Sequence, residues 1–382
     1  MTANPFKPTA GKVPPILIGR QSVIDDFTEG LDNGAGAPGR LMLVSGRRGY
    51  GKTVMLTELA RAAQARGWSV VSETASYGMC DRLVEALAPS GTKVQSANIS
   101  PSVGIAGIAS TSLGSVSLSS PELGARTLRT AINERLKKEK KGKGIMFAID
   151  EAQAASMADM TALATAFQHA IADQDMTDAP DAEKRGVALV FAALPSIVDD
   201  LLDNKVLTFL RRGQRQYLAE VRTPDVRNAY VETVRKAGKR ISDDVALEAA
   251  LAAGGHPYLV QLVGYYMWRA ADARESVAIE KRDVQQGTAD ALLAFYEAVC
   301  APLYYGLRSP QRLFIEAMAL DEGRPTRMAD VIERTERTQS WASKYRASLI
   351  RERVIEAAGY GLVRFATPHL GDYIREKVLW HD

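Results

Sequence analysis

Cysteine and histidine are scarce in this sequence, and long apolar runs are missing. Only two cysteines, Cys80 and Cys300, occur among its 382 residues. They are too few and too far apart for a disulfide framework or a zinc site, and the four histidines show no metal-ligand spacing. No run approaches the roughly 18 apolar residues of a transmembrane helix, and the N-terminus lacks the apolar core of a signal peptide. These absences predict a cytoplasmic protein with reduced thiols and no membrane contact.

An excess of either charge is also missing. The 48 Lys and Arg residues against 45 Asp and Glu residues leave a net charge of +3, which by itself indicates nothing about nucleic acid. Apolar residues make up 46% of the chain, an ordinary fraction that is sufficient for a sizeable core. A chain of this length has room for two or three domains.

A glycine-rich motif stands between a predicted strand and a predicted helix. The apolar run Leu41–Ser45 suits a buried parallel strand, and Val54–Ala63 has apolar residues at helical spacing. Between them, residues 46–53 follow the pattern Gly-x-x-x-x-Gly-Lys-Thr of the phosphate-binding P-loop. The motif and its flanks predict a site for ATP or ADP.

Each P-loop residue has an expected role. The glycines let the backbone wrap a phosphate and point its N–H groups at the negative charge. Lys52 is expected to reach the β- and γ-phosphates, where it serves both binding and catalysis, and the Thr53 hydroxyl to ligate Mg²⁺. The predicted nucleotide-binding residues of this stretch are Gly46, Gly49, Tyr50, Gly51, Lys52, Thr53 and Val54.

Two acids supply a second nucleotide signal. The apolar run Ile145–Ile149 predicts a strand, and Asp150 and Glu151 follow it directly, as in a Walker B motif. Asp150 is expected to hold Mg²⁺ through its water shell, and Glu151 to act as the catalytic base that polarises the attacking water. About a hundred residues separate this strand from the P-loop, which is a usual order in P-loop ATPases.

The order of predicted elements divides the chain into three units. Residues 1–222 alternate strands and helices and form the predicted α/β ATPase domain, whose fifth strand is expected at Tyr217–Val221. Residues 223–307 read as a helical lid without strands, its last helix spanning residues 281–307. Residues 308–382 read as three helices, a β-hairpin and a final helix, which predicts a winged helix-turn-helix.

The stretch 89–120 interrupts the first unit. It is rich in Ser and Gly, nearly free of charge, and carries scattered apolar residues at a loose spacing of two. A flexible insert and a β-hairpin that stands off the sheet both fit this composition.

Arginines before the fifth strand form a further candidate. Arg212, next to Arg211, is the preferred choice for an arginine finger that points at a γ-phosphate of the same chain or of a neighbour. A surface basic pair at a helix end explains the two residues equally well. In the lid, Gly254 to Pro257 fit a helix stop followed by a helix start.

The third helix of the last unit is basic and begins with small polar residues. Ser340 and Ser343 lie toward its N-terminal end, where a recognition helix meets base edges, and Lys344 and Arg346 follow. These four residues are the candidate contacts with duplex DNA. A protein effector is the alternative partner, because helix-turn-helix units with a wing also serve as interaction modules. Trp341, Tyr345 and Leu349 form one apolar stripe that should pack on the preceding helices.

These motifs together resemble one family. The chain is similar to the bacterial and archaeal P-loop ATPases of the AAA and STAND groups, relatives of the archaeal origin-recognition and Cdc6-type initiators. The resemblance implies a five-stranded parallel sheet ordered 5-1-4-3-2, an all-α lid and a C-terminal winged helix-turn-helix. It implies that Ile18, Gly19 and Arg20 lie against adenine, and that His256 and Pro257 close the pocket from the lid.

The chain departs from the family in two places. The fourth strand ends at Leu194-Pro195 without the usual polar sensor, Ser196 being the nearest hydroxyl, and the lid lacks an arginine near His256. These departures favour a slow, nucleotide-dependent switch over a motor. Nucleotide-dependent homo-oligomers are expected for other reasons: an arginine finger can come from a neighbouring chain, and one chain alone should bind DNA weakly. A non-enzymatic, nucleotide-binding transcription regulator is the alternative function, and a small-molecule kinase or a helicase fits the motifs less well.

Overall fold

The computed structural model describes residues 3–9, 17–34, 36–47, 49–88, 127–195 and 208–379, and of Thr208 the backbone alone. The predicted 89–120 insert and Ser196 lie outside these residues.

The first unit contains a five-stranded sheet whose strands are all parallel and lie in the order β2-β3-β4-β1-β5. Read from the other edge, this is the predicted order 5-1-4-3-2. The strands are β1 Leu41–Gly46, β2 Ser69–Thr74, β3 Gly144–Asp150, β4 Gly186–Ala193 and β5 Gln214–Leu218.

Helices cover both faces of the sheet. They are α1 Gln21–Asp32, α2 Lys52–Ala65, α3 Met79–Ala86, α4 Leu128–Leu136 and α5 Met157–Asp175. All eight residues of β4 are buried, as expected for a central parallel strand. Side chains alternate between the faces: Met42 and Val44 belong to one apolar cluster, and Leu43 belongs to the other. None of the helices in the described part of the chain is long and apolar enough to cross a membrane.

The fifth strand lies three residues earlier than the sequence predicted. β5 pairs with β1 from Met42 opposite Gln214 to Gly46 opposite Leu218. Beyond Leu218 the chain leaves the sheet, because the Val221 N–H donates instead to the Gly255 carbonyl of the lid at 2.9 Å. The apolar residues around Val221 therefore belong to the junction with the lid, a long-range contact that a local pattern does not reveal.

The lid is mostly helical. Its helices are α6 Thr223–Lys236, α7 Asp243–Ala252, α8 Pro257–Ala273, α9 Lys281–Phe295 and α10 Ala301–Tyr305. The sequence predicted no strand here, but two short strands, β6 Arg240–Ile241 and β7 Ala278–Ile279, pair in parallel. The predicted single helix over residues 281–307 is also interrupted by a π-helical turn at Tyr296–Cys300. Pro302 follows that turn and has no N–H to donate, which disfavours an unbroken α-helix.

The C-terminal unit has the predicted order of three helices and a hairpin. The elements are α11 Ser309–Ala319, β8 Thr326–Arg327, α12 Met328–Thr335, α13 Gln339–Arg351, β9 Ile355–Gly359, β10 Leu362–Phe365 and α14 Leu370–Ile374. The strands form an antiparallel sheet in the order β8-β10-β9, so β8 is an addition to the prediction. Trp341 stacks on Phe314 of α11 with ring centroids 6.1 Å apart, and Leu349 is fully buried, which confirms the packing stripe of α13.

The lid and the C-terminal unit share one apolar core. Trp268 and Phe295 of the lid belong to the same cluster of buried residues as Phe314 and Ile355 of the C-terminal unit. The predicted boundary between residues 307 and 308 remains a prediction, since packing is continuous across it.

Candidate nucleotide-binding site

The P-loop follows β1 and leads into α2, as its sequence predicted. Gly49 and Gly51 have φ angles of +77° and +83°, values that favour glycine. A Cβ on Gly49 would also lie 2.6 Å from His256 Cε1. The loop therefore needs glycine at position 49 both for its backbone conformation and for the close approach of the lid.

Lys52 fills the interior of the loop. Its ammonium group is buried and donates to the carbonyl oxygens of Gly46 and Arg47 at 3.0 and 3.2 Å. These carbonyls hold a buried cation at the place where the motif requires one. A phosphate is a stronger partner for that cation than two neutral carbonyls, because its oxygens carry formal charge.

The two expected Mg²⁺ ligands lie together. Thr53 Oγ1 donates to Asp150 Oδ2 at 2.6 Å. In the described ranges no group of three or more His, Cys, Asp or Glu side chains is placed to hold a metal. A hydroxyl with one carboxylate fits Mg²⁺, which usually takes one or two carboxylates and fills its other positions with water and phosphate oxygens.

Glu151 has an unusual backbone conformation directly after β3. Its φ is +52°, in the left-handed region that few non-glycine residues adopt, and its N–H donates to Asp150 Oδ1 at 2.8 Å. The carboxylate accepts a hydrogen bond from Gln153 Nε2. Gln153 Oε1 in turn accepts from the Leu194 N–H at the end of β4, at 3.4 Å. No local pattern singles out Gln153, because its partners belong to the ends of two different strands.

A cavity of about 510 Å³ lies between the P-loop, the lid and the N-terminal residues. Lys52, Thr53 and Glu151 provide polar groups to its wall. Further wall residues are apolar: Leu17, Ile18, Leu194, Val221, Pro257, Val260, Ala298 and Val299. Polar groups for phosphates together with an apolar surface for a base fit a nucleoside phosphate.

Ile18, Gly19 and Arg20 are the residues expected at the adenine, and Pro257 is expected to close the pocket from the lid. Ile18, Arg20 and Pro257 line the cavity, and Gly19 forms a turn with φ +64°. Arg20 Nη2 donates to the Ala219 carbonyl at 2.5 Å, and burial lowers the pKa of its guanidinium.

His256 is placed differently from the expectation. It is fully buried and is not part of the cavity wall. Its ring packs edge-on against Tyr50 and Phe295, with centroids 4.7 and 4.8 Å away. His256 therefore packs against the P-loop through Tyr50, whereas its neighbour Pro257 lines the cavity.

Residues near the N-terminus also form part of the wall, which the sequence did not predict. Phe6 is buried in the lid core, 5.8 Å from the ring centroid of Tyr230. Asn4 Nδ2 donates to the Tyr265 carbonyl at 3.0 Å. These contacts hold the following residues, Lys7, Pro8 and Thr9, against the cavity. Residues 3–9 show no periodic pattern, so the sequence contains no signal of this role.

Arg212 lies far from the cavity of its own chain. It is exposed and lies two residues before β5, at the edge of the sheet where the parallel strands begin. The P-loop follows the opposite end of β1, and a strand of this length spans roughly 16–20 Å at about 3.3 Å per residue. This placement argues against a finger in the same chain's site and leaves two roles open: a finger in a neighbouring chain's site, or a surface basic pair.

The candidate DNA contacts are also on the surface, with one exception. Ser340, Ser343 and Lys344 are exposed, and Lys344 Nζ lies 5.5 Å from the ring centroid of Tyr345. Arg346 is half-buried. Lys344 is thus the basic candidate best placed to meet a phosphate.

Arg47 is a P-loop residue to which the sequence assigned no role. Its side chain is buried; Nη2 lies 2.9 Å from Glu356 Oε2 in β9, and Nη1 lies 3.2 Å from Glu220 Oε1. Nη1 also donates to the Ala366 carbonyl. Burial by itself lowers the pKa of this guanidinium, but neighbours that include Tyr50 and Glu356 raise it above its ordinary value. Any residue satisfies the pattern at this P-loop position, so no motif could have identified this contact.

Comparison with known proteins agrees with this geometry. The model of an AAA ATPase domain matches residues 16–175, and that of a domain of unknown function, DUF8462, matches residues 297–374. No curated protein matches the chain in sequence.

Solved structures with a similar fold include archaeal and bacterial proteins. The ORC2 protein of Aeropyrum pernix, solved as ADPNP–ADP complexes, is 13% identical, with 96% of each chain covered and a TM-score of 0.60. Cdc6p of Pyrobaculum aerophilum is 14% identical over 96% of each chain, with a TM-score of 0.49. The RuvB Holliday junction branch migration motor of Thermotoga maritima is 13% identical over 94% of this chain and 96% of its own, with a TM-score of 0.46.

At these identities the similarity shows the fold alone, and only the ORC2 protein, with a TM-score of 0.60, is similar enough among these three to support that conclusion. The AAA ATPase match, the P-loop geometry and this fold together imply binding of ATP or ADP. Residues 16–175 therefore match an AAA ATPase domain that carries a P-loop, and the chain shares its fold with the archaeal ORC2 protein.

Proposed function

We propose that this protein is an ATP-binding, slowly hydrolysing switch whose nucleotide state sets the position of its C-terminal unit, which we interpret as a winged helix-turn-helix. One observation carries the proposal: Arg47, inside the P-loop, is bonded to Glu356 and to the Ala366 carbonyl of that unit. The phosphate-binding loop and the C-terminal unit are thus in direct contact.

The link gives nucleotide binding a route to the C-terminal unit. Lys52 now donates to the carbonyl of Arg47 itself. When Lys52 turns to a phosphate, that peptide loses a partner, and the adjoining Arg47 side chain is free to rearrange. A ligand shifts a conformational equilibrium only through such differential contacts.

Other contacts hold the same docked arrangement. Arg353 of the C-terminal unit lies 5.9 Å from the ring centroid of Tyr217 in β5, and His369 Nε2 lies 3.2 Å from the Ala252 carbonyl of the lid. Because each of these contacts is modest, a few kcal/mol of nucleotide-binding energy would be enough to shift the C-terminal unit between a docked and a released position.

Hydrolysis uses residues of the same cavity. Thr53 and Asp150 would hold Mg²⁺, which neutralises charge on the phosphates when bound. Glu151 would accept the proton of the attacking water, and Arg212 of a neighbouring copy would support the developing charge. We expect slow turnover, because ATPases of this type usually place a polar side chain at the end of the fourth strand, near the γ-phosphate. Here the residue after β4 is Leu194, which offers only its backbone N–H.

The partner of the C-terminal unit is duplex DNA in our preferred form of the proposal. Exposed Lys344 beside Ser340 and Ser343 supports it, and a protein effector is the alternative. We further propose nucleotide-dependent homo-oligomers, since Arg212 needs a second copy to meet a phosphate. A cytoplasmic location is consistent with Cys80 and Cys300 being free thiols.

Amide hydrogen exchange of β9 tests the switch. We expect β9 to exchange faster with Mg-ATP in the Glu151→Gln variant than without nucleotide, because the contact through Arg47 loosens. Arg47→Met should exchange fast in both states. Arg364→Met is the matched control, since Arg364 Nε also pairs with Glu356, at 2.6 Å, but lies outside the P-loop.

The control variant should keep the nucleotide dependence. Equal exchange in all nucleotide states of the wild type would contradict the switch. Equal effects of Arg47→Met and Arg364→Met would show that the contact is structural and unrelated to the P-loop.

A further inference from the structure

Gln153 connects the end of β3 to the end of β4. Its Nε2 donates to Glu151 Oε2, and its Oε1 accepts from the Leu194 N–H at 3.4 Å. Glu151 and Leu194 both line the nucleotide cavity, whereas Gln153 does not. The Gln153 side chain therefore contacts Glu151 from outside the cavity wall.

The two partners determine the orientation of the amide. A backbone N–H can only donate, and an ionised carboxylate can only accept. The Gln153 oxygen must therefore face Leu194 and its NH₂ group must face Glu151. The opposite orientation would lose both hydrogen bonds.

Glutamine is the residue type that meets both demands at this reach. A glutamate at position 153 would set a second carboxylate against Glu151, and two such charges at close range disfavour ionisation of both. A methionine of similar length would make neither hydrogen bond. A neutral side chain with one donor group and one acceptor group therefore suits this position.

Glu151 needs an external support. Its φ of +52° ends the strand, and a non-glycine residue persists in this region only where its surroundings hold it. The backbone is held by the bond from its N–H to Asp150 Oδ1, and the side chain by Gln153. One carboxylate oxygen is engaged in this way, which leaves Oε1 for another partner.

We propose that Gln153 is a positioning residue that orients Glu151 for the attacking water and ties it to the end of β4. The assignment rests on the proposed ATPase function. In that reaction the water oxygen bonds to the γ-phosphorus, the bond to the ADP oxygen breaks, and the water proton passes to Glu151 Oε1. With Oε2 held by Gln153, the rotation of the carboxylate is restricted and its free oxygen keeps one direction.

Steady-state ATP turnover of full-length variants tests this assignment. Gln153→Met should lower kcat roughly five- to tenfold, the usual effect of one lost hydrogen bond, and leave KM within about twofold. Gln153→Glu should lower kcat further and move the acidic limb of its pH–rate profile to higher pH, because two adjacent carboxylates share a proton. Gln168→Met, an exposed glutamine on α5, is the matched control and should behave as wild type.

The outcomes separate this assignment from the proposed function. Glu151-dependent turnover in the wild type, with kcat and pH profile unchanged in both Gln153 variants, overturns the assignment alone. A rise of kcat in Gln153→Met also overturns it, since Gln153 would then hold Glu151 away from water. If the wild type shows no turnover that Glu151→Gln removes, the proposed hydrolysis is wrong and this assignment falls with it.

Discussion

The Thr53 hydroxyl lies 2.6 Å from Asp150 Oδ2, although 97 residues separate the two in the sequence. The first follows β1 and the second ends β3, and β4 lies between these strands in the sheet. Parallel strands end at one edge, so residues from distant motifs meet there.

Thr53→Val should weaken binding of Mg-ATP roughly tenfold, about the value of one charge-assisted contact, and leave the affinity for ATP in EDTA unchanged. The lost hydroxyl acts on the metal and not on the nucleotide. Titration calorimetry with and without Mg²⁺ measures both affinities. Thr57→Val, one turn along α2, is the control, since that hydroxyl donates to the Thr53 carbonyl instead. An equal loss with and without Mg²⁺ would contradict a metal role.

Lys52→Ala should remove nucleotide binding and keep the fold. A ligand at about a hundred times its dissociation constant stabilises a protein by roughly 2.7 kcal/mol, so Mg-ATP should raise the melting temperature of the wild type by several degrees. The variant should show no such rise, whereas Lys141→Ala, an exposed lysine paired with Glu183, should respond fully. The same shift in Lys52→Ala as in the wild type would refute the P-loop assignment.

Phe6→Ala should speed the release of bound nucleotide. Phe6 anchors residues 7–9 to the lid, and these residues form part of the cavity wall. Stopped-flow release of a fluorescent nucleotide measures the rate, and circular dichroism checks that the lid stays folded. Phe6→Leu keeps most of the apolar contact and should release at nearly the wild-type rate. An unchanged rate in folded Phe6→Ala would mean that these residues do not retain nucleotide.

Arg212→Ala should abolish the concentration dependence of turnover. If the residue acts in a neighbouring copy, turnover per chain rises with protein concentration in the wild type, because assembly supplies the arginine. Arg215→Ala, an exposed arginine within β5, is the control and should keep the rise. Turnover per chain that is independent of wild-type concentration would leave Arg212 as an ordinary surface residue.

Lys344→Glu should weaken binding to duplex DNA and flatten its salt dependence. Each phosphate contact contributes about −0.9 to the slope of log affinity against log salt concentration, so the loss of one contact reduces the slope by roughly one. Basal ATP turnover should not change. Arg346→Glu should act less cleanly, because Arg346 is half-buried, and Lys141→Glu serves as the distant charge control. No salt-dependent binding by the wild type in either nucleotide state would leave a protein effector as the partner.

Local patterns predicted most of the fold. The apolar run of β1, the glycine loop and the helical spacing of α2 each report short-range physics, and all three lie where expected. The predictions failed where long-range contacts decide: β5 ends at Leu218 because Val221 pairs with Gly255, and the short strands β6 and β7 need each other to form. Two-residue strands have no periodicity to detect.

The sequence by itself determined that this protein carries a P-loop between a strand and a helix and a strand that ends in Asp150-Glu151, because each of these patterns lies within a few consecutive residues. Only the tertiary structure decided which other residues contact these motifs. Arg47 meets Glu356 across 309 residues, Phe6 brings the N-terminal residues to the cavity, and Gln153 spans two strand ends. Such contacts depend on which surfaces pack together, and packing follows from the summed burial of the whole chain rather than from any one stretch of it.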